Sequence, residues 1–418
     1  MDNRTIYILI IMLIPMACES QNVSQWRGQD RNGSYYDNGL LDSWPEDGPD
    51  LLWSAEGVGD GYSSVSVTNN LVYITGKEDS LELLTAIDHS GNIQWKTPYG
   101  KAWNGGYPAA KTTPNVHQGK VYVISGQGEV VCIDAANGNI IWKVPVYEDF
   151  EGYATMWGVC ESPLIVDNKV FYMPGGNKTT MVALNIDSGE IVWESECVGD
   201  STAYVSPIYF EFKGQKTVVT LSANYLMGFN PDNGNILWKY KYYDLKGGIT
   251  HQYHPIINTN SPYYYDGQIY ITKGYNHLAA MFGLIDNGTG VELLWTDSIL
   301  DVHHGGVVMI DGYVYGANTL GGRNSNWCCL EWSSGNIMYE SELLGRGSVI
   351  TADGKIYFYK ESNGEVALID ASPTDSKIVS KFKIPLGNGP HWAHPVIFDG
   401  ILYIRHGNAV MAYNIDGR

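Results

Sequence analysis

The amino-acid sequence predicts an all-β chain that closes into an eight-bladed β-propeller of four-stranded antiparallel blades. Three observations support this prediction: a composition rich in strand and turn residues, eight copies of one repeated unit, and an orphan strand near the N-terminus that can complete the last unit. A period of about 40 to 50 residues with four strands is typical of a propeller blade, and a closed ring hides sheet edges that an open stack would expose.

Composition places the chain among β-rich proteins and argues against one class of partner. Of its 418 residues, 44% are hydrophobic and 17% are charged, with 30 Tyr, 13 Trp and 48 Gly, a balance typical of strands and turns. The 26 Lys and Arg residues against 45 Asp and Glu leave a net charge of −19. Because this field repels phosphate-coated partners, we expect no nucleic-acid binding.

The first 17 residues are interpreted as a signal peptide. The run IYILIIMLIPM (6–16) is too short to span a bilayer but matches the apolar core of such a peptide. Ala17 and Cys18 follow, and this ending resembles a bacterial lipobox with Pro15 where Leu is usual. We expect a location in the cell envelope, as an outer-membrane lipoprotein anchored through Cys18 or as a periplasmic or secreted protein. A retained anchor stays open as a further alternative.

Internal repetition is the strongest signal in the sequence. Each copy reads as a strand, a turn with Asp or Asn followed by Gly, and a strand that ends in an aromatic residue. Asp or Asn can hydrogen-bond the turn backbone and Gly can adopt positive φ, so the turn needs no ligand, and the fixed aromatic residue indicates packing between blades. The clear copies are AIDHSGNIQW (86–95), CIDAANGNIIW (132–142), ALNIDSGEIVW (183–193), GFNPDNGNILW (228–238), LIDNGTGVELLW (284–295) and CLEWSSGNIMY (329–339), followed by the weaker LIDASPTDSKIVS (368–380) and AYNIDGR (412–418).

A hairpin precedes every copy, and the hairpin turns define eight units. They lie 42 to 53 residues apart. The turns are centred on Asn70, Gly119, Asn168, Gly214, Gly267, Gly312, Gly354 and Gly400.

The ends of the chain predict how the ring closes. The eighth unit lacks its outer strand because the sequence stops at Arg418, whereas DLLWSAEG (50–57) is a strand without a hairpin. We therefore predict that residues near Trp53 pair with residues near Tyr413. Residues 18–49 are expected to form an N-terminal linker segment, and residues 50–418 the propeller.

The pattern A-x-D-x-x-[TSN]-G-x-x-x-W, with its hairpin, resembles the pyrroloquinoline-quinone-like repeat family over residues 50–418. That family includes quinoprotein alcohol dehydrogenases and the BamB type of outer-membrane assembly lipoprotein. The stretch from Trp26 to Gly33 is also similar to an N-terminal segment of bacterial secreted members. The resemblance implies the propeller fold, but many such propellers bind no quinone, so the function must be argued from a site.

Five cysteines follow Cys18, and none has the spacing of a zinc or haem site. Some quinoprotein dehydrogenases have a disulfide between adjacent cysteines, so the resemblance suggests Cys328 and Cys329 as candidates for such a bond. Adjacent residues of an extended strand point to opposite faces, however, and their Cα atoms lie closer than in usual disulfides. We therefore expect two strand cysteines that pack against neighbouring blades.

Loop length predicts which face of the propeller binds a partner. One face carries tight turns, so the variable loops must collect on the other, and such a face usually marks the binding side of a repeat protein. The innermost strands begin at this loop-rich face with Ser64, Thr113, Ser162, Ser206, Ser261, Gly306, Ser348 and His394. Two residues earlier, one varied position per blade lies on the same side: Tyr62, Lys111, Cys160, Tyr204, Thr259, His304, Arg346 and Trp392.

These varied positions predict a ligand site at the mouth of the central channel. Lys111, His304 and Arg346 would form a positive funnel for an anion or a carboxylate, between aromatic walls. The alternative is that these long side chains only plug a water-filled channel. The candidate ligand-binding residues are Tyr62, Lys111, Glu161, Tyr204, His304, Arg346, Trp392 and His394.

Histidines near this face leave metal binding open as a weaker alternative. A lone histidine is most often a hydrogen-bonded structural residue, so we predict no metal site. The histidines concerned are His251, His254, His303, His304 and His391.

Three functions remain open from the sequence. Our first hypothesis is a monomeric, non-enzymatic envelope scaffold that binds a protein or glycan partner on the loop-rich face. The alternative is an alcohol or sugar dehydrogenase, which would need pyrroloquinoline quinone with calcium, with Glu161, Asn260 and Trp392 as candidate residues. The longer insertions and haem module of such enzymes are not in the sequence. A hydrolase or lyase could use Glu161, His303 and His304 as acids and bases, but no nucleophile motif supports it.

Overall fold

The structure is a computed structural model that describes residues 24–152, 155–245, 257–319 and 325–418. These residues form eight four-stranded antiparallel sheets, which are the blades of a β-propeller. The predicted fold class is therefore confirmed. The inner strands are buried on both sides because each blade packs between two neighbours, whereas the outermost strands also carry solvent-exposed residues.

The first four blades follow one another along the chain, each from its innermost to its outermost strand. Blade 1 contains β2 (Ser66–Val67), β3 (Val72–Glu78), β4 (Leu81–Ile87) and β5 (Ile93–Lys101). Blade 2 contains β6 (Asn115–His117), β7 (Lys120–Ile124), β8 (Glu129–Asp134) and β9 (Ile140–Pro145). Blade 3 contains β10 (Leu164–Val166), β11 (Lys169–Tyr172), β12 (Val182–Asn185) and β13 (Ile191–Glu194). Blade 4 contains β14 (Ile208–Phe212), β15 (Gln215–Leu221), β16 (Leu226–Phe229) and β17 (Ile236–Tyr240).

The next three blades repeat the same order. Blade 5 contains β18 (Tyr263–Tyr265), β19 (Gln268–Ile271), β20 (Ala279–Ile285) and β21 (Gly290–Asp297). Blade 6 contains β22 (Val308–Ile310), β23 (Tyr313–Ala317), β24 (Trp327–Glu331) and β25 (Ile337–Ser341). Blade 7 contains β26 (Gly347–Ala352), β27 (Lys355–Lys360), β28 (Glu365–Asp370) and β29 (Lys377–Lys383).

Blade 8 combines both ends of the chain, as predicted. Its inner strands are β30 (Val396–Phe398), β31 (Ile401–His406) and β32 (Ala409–Asn414), and its outer strand is β1 (Leu51–Glu56). In this antiparallel pairing Leu51 lies opposite Tyr413, and Trp53 lies opposite Ala412. The first strand therefore fastens the ring at the last blade.

Helical structure is confined to the connections. The described residues include helix α1 (Val146–Asp149) and the 3-10 turns Tyr242–Asp244 and Asp286–Gly288. Within the described part of the chain, no helix has the length and apolar character needed to cross a membrane.

The aromatic residue of a repeat packs against the turn of the next blade. Trp142 of blade 2 donates its Nε1–H to the Ile186 carbonyl of blade 3 at 3.1 Å. Gly189, in the same turn, lies on the Trp142 ring, and a Cβ there would come within 2.8 Å of ring atoms. This glycine is required for the close approach as well as for its φ of +73°. The predicted packing role of the repeated aromatic residues is confirmed.

The hydroxyl residues at the start of the innermost strands join neighbouring blades. The Ser64 N–H donates to Thr113 Oγ1 at 3.0 Å, and the Thr113 N–H donates to Ser162 Oγ at 2.8 Å. The Ser162 N–H in turn donates to Ser206 Oγ at 2.9 Å. Small side chains suit the crowded ring, as expected, and their hydroxyls also bond one blade to the next.

Residues 24–33, from the segment expected to be a linker, lie in the central channel. The Val116 N–H of blade 2 donates to the Ser24 carbonyl at 2.7 Å. Arg27 donates to the Val307 carbonyl of blade 6 and to His394 of blade 8, at 2.7 and 2.9 Å. Arg31 donates to the Ser162 carbonyl of blade 3 at 2.9 Å. A segment that contacts innermost strands on several sides of the ring must lie at its axis.

The two adjacent cysteines are strand residues that pack in opposite directions. Both are fully buried free thiols on β24. Cys328 packs in a cluster with Val314 and Leu330, whereas Cys329 packs in a different cluster with Tyr315. The prediction that these are strand cysteines packed towards different neighbours is confirmed, because the two side chains belong to different hydrophobic clusters.

Candidate functional site

A cavity of about 330 Å³ lies at the axis, on the loop-rich face. All eight varied positions line it: Tyr62, Lys111, Cys160, Tyr204, Thr259, His304, Arg346 and Trp392. Each comes from a different blade, and the residues are separated by up to 330 positions in the sequence. Equivalent positions in a repeat meet at the axis because every blade contributes the same point of the connection that leads into its innermost strand.

Aromatic rings form a closed belt around the cavity. Trp392 contacts Tyr107 at a centroid distance of 4.9 Å, and Tyr107 contacts Trp157 at 6.3 Å. Trp157 contacts His303 at 6.4 Å, His303 contacts His304 at 4.8 Å, and His304 returns to Trp392 at 5.4 Å. The wall therefore offers large apolar surfaces with polar ring edges.

Further rings thicken this belt. Tyr62 packs edge-on against Trp392 at 4.8 Å, and Tyr204 packs against Trp157 at 4.9 Å. The Tyr204 hydroxyl accepts a hydrogen bond from the backbone N–H of Trp157 at 3.3 Å. Tyr275 shares a hydrogen bond with His303 Nε2 at 2.7 Å. The predicted aromatic walls therefore stand in a connected network of rings.

Lys111 supplies one positive charge to the cavity. Its Nζ donates to the Ala109 carbonyl at 3.2 Å, and within the described residues no carboxylate lies at ion-pair distance from it. Burial lowers the pKa of Lys111, while the neighbouring Cys160 and Glu82 raise it. A desolvated ammonium of this kind interacts strongly with an incoming anion.

Arg346 supplies a second positive charge beside Glu361, the one carboxylate among the described residues of the cavity lining. Arg346 Nη2 lies 3.6 Å from Glu361 Oε1, and His304 Nε2 lies 3.8 Å from Glu361 Oε2. Burial, with Arg346 as the smaller contribution, lowers the pKa of His304 to about 4, so this histidine is neutral at pH 7. Of the three residues predicted to carry positive charge at the channel mouth, Lys111 and Arg346 are cationic lining residues, whereas His304 is neutral.

His394 forms the floor of the cavity together with Trp26. Their ring centroids are 4.7 Å apart, and both residues line the cavity. Arg27 donates to His394 Nδ1, and His394 Nε2 lies 3.0 Å from the His304 carbonyl. Burial keeps the pKa of His394 well below its usual range. His394 therefore holds the N-terminal segment in place, and that segment fills the channel beneath the cavity.

Glu161 does not line the cavity, which corrects its place among the candidate ligand residues. It is buried, and its carboxylate accepts a hydrogen bond from the Met173 N–H at 3.3 Å. Burial raises the pKa of Glu161 well above its usual range, with Arg31 as an opposing charge. Its neighbour Cys160 lines the cavity, and both residues lie in the connection that leads into β10.

The predicted histidine group is not assembled into one site. His303 and His304 line the cavity, whereas His391 stacks on His406 at 3.9 Å and bonds Tyr359. Across the described ranges, no cluster of three His, Cys, Asp or Glu residues is placed to hold a metal ion. Two of the named histidines, His251 and His254, lie outside the described residues, as does the proposed lipid-bearing Cys18.

Several lining residues were not predicted from the sequence: Trp26, Tyr107, Trp157, Tyr275 and Glu361. Tyr107 lies on the connection between β5 and β6, and Trp157 lies in residues 145–160, one of the long variable loops from which the sequence predicts the binding face. Aromatic residues within those loops are the sequence feature that could have identified them.

Comparison with known proteins assigns the chain to a family. The family model described as "Outer membrane protein assembly factor BamB" matches residues 80–327. The chain belongs to this family. The outer membrane protein assembly factor BamB of Shewanella oneidensis is 26% identical over 170 residues, which cover 39% of this chain and 41% of that protein. The match therefore spans less than half of that relative.

Solved structures share the fold at low sequence identity. BamB from Moraxella catarrhalis aligns with a TM-score of 0.64 and 14% identity, covering 88% of this chain and 98% of that chain. Quinohemoprotein alcohol dehydrogenase from Comamonas testosteroni aligns with a TM-score of 0.64 and 12% identity, covering 95% of this chain and 81% of that chain. These likenesses show the fold alone, so function has to be argued from the cavity.

The described residues do not fit a quinone with calcium. Calcium takes six to eight oxygen ligands, yet Glu361 is the only carboxylate in the described lining, and it faces Arg346 and His304. Glu161 points elsewhere. The Asn260 side chain is engaged by backbone groups, donating to the Val302 carbonyl at 2.7 Å and accepting from the Gly306 N–H at 3.2 Å. The calcium ligands considered from the sequence are therefore not assembled at the cavity.

Proposed function

We propose that this protein is a non-catalytic binding scaffold of the bacterial cell envelope that engages its partner through the loop-rich face. One observation carries the proposal: the varied residue of every blade opens into one cavity whose opposite end is filled by residues 24–33. A cavity of this size with aromatic walls and few charges has the character of a ligand site. Membership of the assembly-factor family supports a protein partner in the envelope.

The rim of the cavity offers an apolar contact surface to a protein. Tyr107 and Met156 are each 51% exposed, and they lie on connections that adjoin each other at the loop-rich face. The Met156 carbonyl accepts a hydrogen bond from Trp103 Nε1 at 3.2 Å, which fixes one loop against the other. Exposed aromatic and methionine side chains held on a rigid frame are typical of protein-binding surfaces.

The path of the N-terminal segment supports an orientation on the membrane. Trp26 lies at the cavity floor, whereas Ser24 bonds Val116, which leads into the hairpin turn at Gly119 on the opposite face. The chain therefore leads from that hairpin-turn face into the channel. Cys18 precedes Ser24 by six residues, a reach of about 20 Å when extended. A lipid on Cys18 would hold the hairpin-turn face at the membrane and turn the cavity away from it.

A complementation experiment tests the scaffold role. Deletion of the gene is expected to lower the abundance of outer-membrane proteins, measured by quantitative membrane proteomics, and the wild-type gene to restore it. The double variant Tyr107→Ala with Met156→Ala should not restore it, whereas Ile141→Ala, 44% exposed on the outer strand β9, should. Unchanged outer-membrane protein levels after deletion would overturn the scaffold proposal.

The anchor is tested separately. Wild-type protein is expected in the membrane fraction, and Cys18→Ala in the soluble envelope fraction. Equal membrane association of the two proteins would contradict anchoring through Cys18.

Titration of the purified protein with pyrroloquinoline quinone and calcium, followed by dye-linked alcohol oxidation, tests the dehydrogenase alternative. Saturable binding with turnover would replace the scaffold by that alternative.

A further inference from the structure

We propose that the cavity binds a sugar acid, that is, a saccharide unit that carries a carboxylate, with Lys111 as the partner of that carboxylate. This inference rests on the proposed binding function and names the ligand class for the same cavity. A free sugar acid and the terminal unit of an acidic glycan share this chemistry. Three features of the cavity lead to the assignment: the inclination of its aromatic walls, its distribution of charge, and its pairing of donors with an acceptor.

The aromatic walls form a cup. Tyr62 and Trp392 meet at 61°, Tyr107 and Trp392 at 70°, and His304 and Trp392 at 59°. A flat tricyclic or benzoid ligand is best held between two parallel faces. Inclined rings instead suit a ligand with several apolar faces in different directions, such as the axial C–H surfaces of a pyranose. Tyr and Trp also present polar edges to hydroxyl groups.

The charges of the cavity favour an anionic ligand over a cationic one. Inclined rings can also form a cage for an ammonium group, but in the described lining the cations Lys111 and Arg346 outnumber the one carboxylate, Glu361. Arg346 and Glu361 face each other, whereas no carboxylate among the described residues lies at ion-pair distance from the ammonium of Lys111, and the buried Glu82 acts on it only from farther away. A carboxylate beside Lys111 would complete this pair in a partly desolvated environment.

Arg346 and Glu361 also match the hydroxyl groups of a sugar. Their closest separation is 3.6 Å, longer than a hydrogen bond, so donor and acceptor capacity is left on both groups. The guanidinium carries five donors, and the carboxylate accepts in up to four directions. Neighbouring sugar hydroxyls, which both donate and accept, can bond such a pair at once. A simple carboxylate without hydroxyls would use only the cation.

Calorimetric titration of the full mature chain tests the assignment. The probes are digalacturonic acid, the neutral disaccharide digalactose, benzoate and choline. Digalacturonic acid is expected to bind saturably and about tenfold or more tightly than each of the other three. No binding of digalacturonic acid, or tighter binding of benzoate, choline or digalactose, would overturn the sugar-acid assignment. A further titration with galacturonate distinguishes a free sugar acid from a glycan end, by whether the second unit adds affinity.

Matched variants connect the binding to the proposed residues. Lys111→Met is expected to weaken digalacturonic acid about tenfold or more and to leave digalactose unchanged, because it removes only the charged partner. Lys111→Arg keeps the charge, so its affinity for digalacturonic acid should stay within a few-fold of the wild-type value. This variant also keeps the test informative if Lys111→Met does not fold. Lys120→Met, at an ion pair with Asp187 on the hairpin-turn face, is the control and should bind like wild type.

The results separate this inference from the scaffold role. Equal binding by wild type and a folded Lys111→Met variant would overturn the assignment of Lys111. Failure of every sugar acid to bind, combined with loss of outer-membrane proteins after gene deletion, would reject the ligand class while the scaffold role stands. Failure of both experiments would reject the cavity as a functional site.

Discussion

The electrostatic environment of Lys111 includes the carboxylate of Glu82, which was not predicted from the sequence as a site residue. Glu82 on β4 is buried and accepts a hydrogen bond from the Tyr99 hydroxyl at 2.6 Å. Burial raises the pKa of Glu82 to about 7, while Tyr99 and Lys111 act in the opposite direction. The charge next to the cavity therefore changes near neutral pH.

This shift makes a prediction for stability. An unfolded Glu82 loses its proton near pH 4.5, whereas the folded one retains it to about pH 7. Between these values the unfolded state binds fewer protons, so the free energy of unfolding falls as pH rises, by up to about 3 kcal/mol. Glu82→Gln removes this titration. The difference in unfolding free energy between variant and wild type, from urea unfolding at pH 4.5, 6 and 7.5, should grow with pH. A difference independent of pH would contradict the raised pKa.

Individual site residues were predictable where the repeat fixes their geometry. The eight varied positions could be aligned by counting from the hairpin turn, because each blade presents the same strand position to the axis. Glu161 was misplaced because it is next to a lining residue in the sequence, whereas its carboxylate accepts a hydrogen bond from the Met173 N–H on the buried side of the chain. Glu361 and Tyr107 lie outside the repeated positions, so no internal alignment could assign them to the cavity.

At the level of strands and turns, the repeat contains two kinds of glycine that look alike in the sequence. Both occur in turns with positive φ, at +76° for Gly138 and +74° for Gly119. Gly138 lies against the Trp95 ring of the preceding blade, where a Cβ would come within 2.7 Å of Cε3. Gly119 has no atom within 4 Å of the same position. The first is required for packing between blades, and the second for backbone conformation alone.

These two glycines form a matched pair for mutation. Gly119→Ala is expected to lower the free energy of unfolding by about 1 to 2 kcal/mol, the cost of positive φ for a residue with a Cβ. Gly138→Ala should cost at least about 2 kcal/mol more, because the new methyl group also displaces the Trp95 ring. Chemical denaturation of both variants measures the difference. Equal losses would contradict the packing role of the Gly138 turn.

The shape of the whole molecule depends on the pairing of its two ends. Strand β1 provides the only outer strand of blade 8 in the described chain, and β32 lies between it and β31. Repetition in the sequence predicted this closure because the last unit was one strand short. The packing of residues 24–33 in the channel was not predictable, since its contacts go to carbonyl groups of several blades and leave no periodic pattern.

Truncation tests the closure. Removing residues 409–418 deletes β32, which is buried over five of its six residues, and leaves β1 and β31 as unpaired edges. We expect a loss of more than about 4 kcal/mol in unfolding free energy, or aggregation through the exposed edges. Removing only Gly417 and Arg418 is the control and should leave thermal unfolding close to that of the full chain. A truncated chain that unfolds like wild type would contradict closure by these strands.

Determination of a crystal structure of the mature chain soaked in bromide tests the central claim most directly. The claim is that residues from eight blades meet in one cavity, closed below by residues 24–33, that receives an anion. We predict an anomalous bromide peak inside the aromatic belt, within contact distance of Lys111 Nζ. A channel open from face to face, or Lys111 and Arg346 on separate surfaces, would contradict it.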